Sequence, residues 1–145
     1  MRLCMISLDA VAQPDADRLL SLPALSALAR EGVFCDNVKT VYPTLTYPIH
    51  TSLLTGCYPA VHGIGHNQPF QPDTEKKMRA WYWSVKDIQV PTLHQAAHEK
   101  GMDVASILWP VSGKNKAVRR NFPEVLPLPG ESAVIKMLKY ALTSR

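Results

Sequence analysis

Two threonines lie among prolines in the segment VYPTLTYPIHTSLLTG, residues 41–56. Pro48 suits the first turn of a helix and Gly56 suits its end, so the pattern predicts a short helix that begins just after Thr46. A threonine there can cap the helix by accepting a backbone N–H. It can also present its hydroxyl to a phosphate, because a helix N-terminus offers free N–H groups and a partial positive charge. Both interpretations of Thr46 stay open, and Thr44 is a competing hydroxyl.

Asp9 and Asn67 are two further candidates for chemistry with phosphate. Asp9 follows the apolar run RLCMISL, residues 2–8, which predicts a buried strand of a parallel sheet. Because α/β sheets build their sites where strands end, Asp9 is either a metal ligand or a residue that hydrogen-bonds the next turn. Asn67, in HGIGHN, is either a turn former or a donor to a phosphoryl oxygen through its amide.

Three other patterns are weaker. HQAAH, residues 94–98, places two histidines one helical turn apart, but Gln95 stands where the zinc motif HExxH needs a glutamate base, so no metalloprotease site is expected. HGIGHN lacks the last glycine and the strand-to-helix turn of a dinucleotide fingerprint. WYW, residues 81–83, is expected to pack under a loop, although it would also suit a pocket for a flat group.

Alternating strand and helix patterns predict an α/β fold. The segment SLPALSALAREG has the apolar spacing of an amphipathic helix that opens at Pro23 and stops at Gly32. VPTLHQAAHEKG predicts a second capped helix with Leu93, Ala96 and Ala97 inward, and the last helix would bury Leu142. The predicted strands are 2–8, 33–42 and 102–109, and the predicted helices are 21–32, 48–56, 90–101 and 131–145.

Composition fits a folded domain with one core. The 145 residues are 46% hydrophobic and 19% charged, which argues against disorder. The net charge of +4 comes without an aromatic and basic binding pattern, so no nucleic-acid partner is expected, and KNKAVRR, residues 114–120, is expected to be a solvated face. No segment reaches the roughly 18 apolar residues of a membrane span. Three scattered cysteines and no secretory leader predict buried thiols in a cytoplasmic protein without a membrane partner.

Three segments together carry a family resemblance. ISLDAV, LPALSALAREG and then VYPTLTYPIHTSLLTGCYPAVHGIGHN resemble the type I phosphodiesterase and nucleotide pyrophosphatase family of the alkaline phosphatase superfamily. The resemblance implies an alkaline-phosphatase-like α/β fold with a mostly parallel sheet flanked by helices. It also implies that Asp9 binds a metal, that Thr46 is the nucleophile beside that metal, and that Asn67 contacts the phosphate.

The chemistry implied by the resemblance is hydrolysis of phosphodiester or nucleotide pyrophosphate bonds through a phosphothreonine, with two divalent metal ions, usually zinc. Ala10 replaces the family's usual glycine, and Ile49 replaces an asparagine often found before the motif histidine. The family's remaining ligands, from a later Asp-x-x-x-His, an Asp-His pair and a last histidine, match no string in this sequence. Residues 1–145 are therefore expected to be the N-terminal part of a catalytic domain, inactive alone and prone to self-association through exposed sheet edges.

Two other functions stay open at this point. A phosphomonoesterase or phosphonate hydrolase could use the same scaffold, because loops outside the nucleophile segment change the chemistry. A non-catalytic α/β module could keep the phosphate cradle without metals.

Overall fold

A computed structural model describes residues 2–126, 128–132, 134, 135 and 138. The chain divides into two compact units, Met1–Thr40 and Val41–Arg145, rather than forming the single core that the composition predicts. Residues 134, 135 and 138 are helical, in agreement with the last predicted helix. Its expected inward residue Leu142 lies outside the described residues.

Short helices are the regular secondary structure of the first unit. Pro23 begins the longest of them, because a proline in the first turn lacks only an N–H that has no helical partner. Gly32 ends it, with its N–H 2.9 Å from the carbonyl oxygen of Leu28, so this predicted helix is confirmed. The elements are a 3-10 turn at Gln13–Asp15, helix α1 at Ala16–Leu20 and helix α2 at Pro23–Glu31.

The strands predicted at 2–8 and 33–42 are not formed, and both predictions are wrong. Residues 2–8 are irregular and exposed, with Leu3 61%, Ile6 78% and Leu8 58% accessible. A strand requires a hydrogen-bonded neighbour, and the described part of this unit contains no strand to pair with. An apolar run alone therefore does not determine whether this segment forms a strand.

The second unit contains helices and a small parallel sheet, which makes the protein α/β. Strand β1 confirms the strand predicted at 102–109, whereas β2 was not predicted as a strand. In the register of the sheet Ser106 lies opposite Asn121, and both side chains are buried. The elements are α3 at Thr46–Thr55, α4 at Pro59–His62, 3-10 turns at Lys76–Met78 and Val85–Asp87, α5 at Leu93–Glu99, β1 at Ala105–Ile107 and β2 at Arg120–Phe122.

Helix α5 begins as predicted but turns a different face inward. The Thr92 hydroxyl accepts the N–H of Gln95 at 3.3 Å, and the Gln95 side chain accepts the N–H of Thr92 at 2.8 Å, which is a capping box. Leu93 and Ala96 are exposed, while His94 is half-buried with Nδ1 3.4 Å from Nδ2 of Asn115. The predicted inward face of Leu93 and Ala96 is therefore wrong, because a polar contact rather than apolar spacing orients this short helix.

The apolar core of the second unit lies beside the start of α3. Tyr47, Ile64 and Val111 form its centre, with Trp81, Tyr82 and Ile88 packed around them. A Cβ at Gly113 would collide with the Trp83 side chain and backbone, and the Gly113 N–H instead bonds the Trp83 carbonyl at 2.6 Å. The WYW segment therefore packs against the core, as expected.

Candidate active site

Helix α3 presents Thr46 as its first residue. The N-cap is Leu45, in an extended conformation with φ −122°, and no side chain caps the helix from that position. The interpretation of Thr46 as an N-cap is therefore wrong, since its own backbone is already helical. Its half-buried side chain stands at the end of the helix where the helix dipole favours an anion.

Asn67 meets this helix end directly. Its Oδ1 accepts the backbone N–H of Tyr47 at 3.0 Å, and its backbone carbonyl accepts the N–H of Tyr82 at 3.1 Å. Because the amide oxygen is committed to a donor, the NH₂ group occupies the other branch of the side chain. The structure thus brings Asn67 into contact with Tyr47, the residue next to Thr46, from twenty positions along the chain.

Asp9 belongs to the first unit and lies in an exposed turn rather than at the end of a strand. Its Oδ1 accepts the N–H of Ala10 at 2.9 Å, and Ala10 has φ +59°. This local bond is the turn-forming role that the sequence left open. Asp9 is exposed in this unit.

Buried His62 links α3 to the HGIGHN loop. Its Nδ1 accepts the N–H of Ile64 at 3.1 Å, so the proton of the neutral ring is on Nε2, which lies 3.0 Å from the Ser52 hydroxyl. Nε2 therefore donates to Ser52 and cannot take the serine proton. The pair has the composition of a serine–histidine dyad, but its hydrogen bonds hold His62 and the HGIGHN loop against α3.

Burial lowers the pKa of His62 below its ordinary range. The unfolded chain takes up a proton near pH 6.5 while the folded protein resists it, so the free energy of unfolding should fall as the pH drops below about 6.5. His62→Asn should lower the free energy of unfolding at pH 7.5 by about 1–3 kcal/mol, because a buried hydrogen-bonded ring is lost.

Urea unfolding of both proteins at pH 7.5 and pH 5 measures this effect. The variant should lose less stability on acidification than the parent. Burial also lowers the pKa of His94, so His94→Asn should remove a further part of the pH dependence. An unchanged pH dependence in His62→Asn would contradict the assignment.

His50 and Tyr47 also support the start of α3, and sequence analysis identified neither. Nδ1 of His50 donates to the carbonyl oxygen of Thr46 at 2.8 Å, and its ring meets Trp109 edge-on with centroids 5.3 Å apart. Tyr47 is 1% exposed and meets Trp81 in the same way at 5.3 Å. Their spacing in the sequence gives no signal, because the partners lie far along the chain.

The Tyr47 hydroxyl lies in a buried environment near the charge of Glu124. Burial, and then the charge of Glu124, raise the pKa of Tyr47 well above its ordinary value. The hydroxyl therefore stays protonated.

The described residues contain no cluster of three or more His, Cys, Asp or Glu side chains that could hold a metal ion. Nδ1 of His94 lies 3.4 Å from Nδ2 of Asn115, and His98 is exposed. Asp9 and Thr46 offer one carboxylate and one hydroxyl, fewer donors than a four-coordinate zinc ion requires. These two residues therefore supply only part of the ligands that a two-metal centre requires.

The second unit thus places the Thr46 hydroxyl and the Asn67 amide at one helix N-terminus of an α/β structure. The family model described as type I phosphodiesterase / nucleotide pyrophosphatase matches residues 3–138. The chain belongs to this family, as its motifs predict.

Named relatives agree with the family. Ectonucleotide pyrophosphatase/phosphodiesterase family member 3 of Rattus norvegicus is 30% identical over 82% of this chain and 14% of its own length. Family member 1 of Homo sapiens is 27% identical, again over 82% of this chain and 14% of its own length. The bis(5'-adenosyl)-triphosphatase enpp4 of Mus musculus is 31% identical over 75% of this chain and 24% of its own length. The chain thus spans a small part of the relatives it matches.

The relatives correct the predicted location. The names of the first two relatives describe ectoenzymes, so the cytoplasmic prediction is wrong. It depended on scattered cysteines, but a protein with an adequate core needs no disulfides in any compartment. Cys4 and Cys35 are exposed and Cys57 is half-buried, so the prediction of buried thiols is wrong as well. Within the described residues, no helix combines the length and apolar character needed to cross a membrane.

Proposed function

We propose that the protein containing this chain hydrolyses phosphodiester or nucleotide pyrophosphate bonds. The family match and the names of the relatives support this class of reaction. The observation that carries the proposal is the bond from the Tyr47 N–H to Asn67 Oδ1 at 3.0 Å, at the helix end where Thr46 lies.

In the proposed reaction Thr46 is the nucleophile. A bond forms between its Oγ1 and phosphorus while the bond from phosphorus to the leaving-group oxygen breaks and the threonine proton ends on the released alcohol, which gives a phosphothreonine that still carries the substrate's second ester group. Water then cleaves this intermediate and restores the hydroxyl. The NH₂ group of Asn67 and the dipole of α3 would stabilise the charge on the non-bridging oxygens.

We also propose that Asp9 and Thr46 contribute oxygen ligands to a centre of two divalent ions, zinc by family resemblance. Such ions supply Lewis-acid charge stabilisation when bound. The further ligands would come from residues other than those described. The 145 residues would then be the N-terminal part of an alkaline-phosphatase-like catalytic domain, which the 14% share of the first relatives supports.

Substrate preference tests the proposal against its closest rival. The whole protein, assayed with zinc, should turn over bis(4-nitrophenyl) phosphate with kcat/KM at least about tenfold above that for 4-nitrophenyl phosphate. The reverse preference would identify a phosphomonoesterase. Tight phosphate binding without turnover of either ester would identify a binding module.

A further inference from the structure

The peptide group between Thr46 and Tyr47 is held by a side chain on each side. Its C=O belongs to Thr46 and its N–H belongs to Tyr47, and the two groups share one rigid plane because the C–N bond has partial double-bond character. The N–H donates to Oδ1 of Asn67 at 3.0 Å. The C=O accepts a hydrogen bond from Nδ1 of His50 at 2.8 Å. This one peptide group therefore connects the proposed nucleophile, the Asn67 amide and the His50 ring.

The His50 ring is itself fixed by burial and packing. His50 is 8% exposed, and its ring meets Trp109 edge-on with centroids 5.3 Å apart. Trp109 follows the end of strand β1 by two residues, so the ring is anchored beside the carboxyl end of the parallel sheet. Because its partner is a carbonyl oxygen, Nδ1 must carry a proton. Burying an imidazole costs free energy that an apolar side chain would avoid, so packing alone does not account for a histidine here.

We propose that His50 is a positioning residue, whose Nδ1–H holds the peptide group after Thr46 and so fixes the Thr46 hydroxyl relative to the Asn67 amide. This inference rests on the proposed function. Rotation of the peptide group would move the Thr46 side chain at one end and weaken the bond to Asn67 at the other. Misplacement by about 1 Å can lower a rate by roughly 100-fold, and a smaller loss is expected where the bond to Asn67 persists.

Two substitutions in the whole protein separate the two ring nitrogens of His50. The amide nitrogen of His50→Asn can take the place of Nδ1 and keep the donor, whereas that of His50→Gln reaches the place of Nε2. In steady-state turnover of bis(4-nitrophenyl) phosphate, His50→Asn should keep kcat within about threefold of the parent because the donor remains. His50→Gln should lower kcat about 10-fold with KM within about twofold, since a positioning defect acts on the transition state rather than on substrate binding.

His94→Asn and His94→Gln are the matched controls for the substitutions themselves. His94 is half-buried on α5, outside the candidate site. Both control variants should keep kcat within about twofold of the parent, whatever their effect on Tm.

Three results would overturn the proposal. The first is a parent kcat in His50→Gln with only a lower Tm, which would show a purely structural histidine. The second is an equal loss of kcat in His50→Asn and His50→Gln, and the third is turnover kept by His50→Gln and lost by His50→Asn, which would assign the role to Nε2. If His50→Gln does not fold, His50→Leu takes its place, because leucine suits a buried helical position and also lacks the donor.

Failure of this inference can be told from failure of the proposed function. If Thr46→Ala retains turnover, the proposed function is wrong whatever His50 does. If Thr46→Ala is inactive and His50→Gln has the parent kcat, only the role of His50 is wrong.

Discussion

Thr46→Ala should lower kcat/KM of the whole protein toward phosphodiesters by about 1,000-fold or more, since removal of a nucleophile leaves only binding and charge stabilisation. The helix should persist, because alanine is a strong helix former and Thr46 does not cap α3. Thr46→Ser keeps a hydroxyl and should retain measurable turnover. Acid quenching followed by mass spectrometry should find a phosphoryl adduct that retains the substrate's second ester group on the peptide that contains residue 46 in the parent and not in Thr46→Ala.

Thr44 provides the matched control for this experiment. It is an exposed threonine two residues earlier, and Thr44→Ala should leave kcat/KM within about twofold because surface substitutions outside a site have small effects. Loss of turnover in Thr44→Ala with retention in Thr46→Ala would assign the nucleophile to the other hydroxyl.

Asn67→Asp should lower kcat/KM by about 100-fold while preserving stability. Aspartate keeps an oxygen that accepts the Tyr47 N–H, and a negative charge near a helix N-terminus is favourable. It loses the NH₂ donor and repels a phosphoryl oxygen. Steady-state kinetics and thermal unfolding of the same samples would separate the two effects.

Asn67→Ala is the companion variant, because it loses both the acceptor and the donor. It should lower the free energy of unfolding by about 1–2 kcal/mol in addition to its effect on turnover. Parent-like activity in Asn67→Asp, combined with a stability loss in Asn67→Ala, would show that Asn67 only supports the helix.

The sequence predicted α2, α3 and α5 because the signals for these helices are local. Pro23 and Gly32 bound α2, and Thr92 with Gln95 caps α5. The helix predicted at 48–56 corresponds to α3, which begins two residues earlier than predicted, at Thr46. The family resemblance then selected Thr46 and Asn67, and the structure brings these two to one helix end.

The remaining features depend on contacts that a single sequence does not display. Tyr47 and Trp81 are separated by 34 positions along the chain, yet their rings meet edge-on with centroids 5.3 Å apart. The apolar run at 2–8 satisfies the pattern of a strand but has no described neighbour to pair with. The inward face of α5 is set by the contact between His94 and Asn115, which apolar periodicity does not predict.

The position of Tyr47 has a consequence for where this chain tolerates substitution. Thr46 is joined to one of the most buried aromatic residues of the unit, so a substitution at the start of α3 would disturb the core as well as the proposed nucleophile. In contrast, the loop at residues 69–80 carries mostly exposed side chains, among them Phe70 at 91%. Laboratory libraries that vary this loop should therefore keep more folded members than libraries that vary the start of α3.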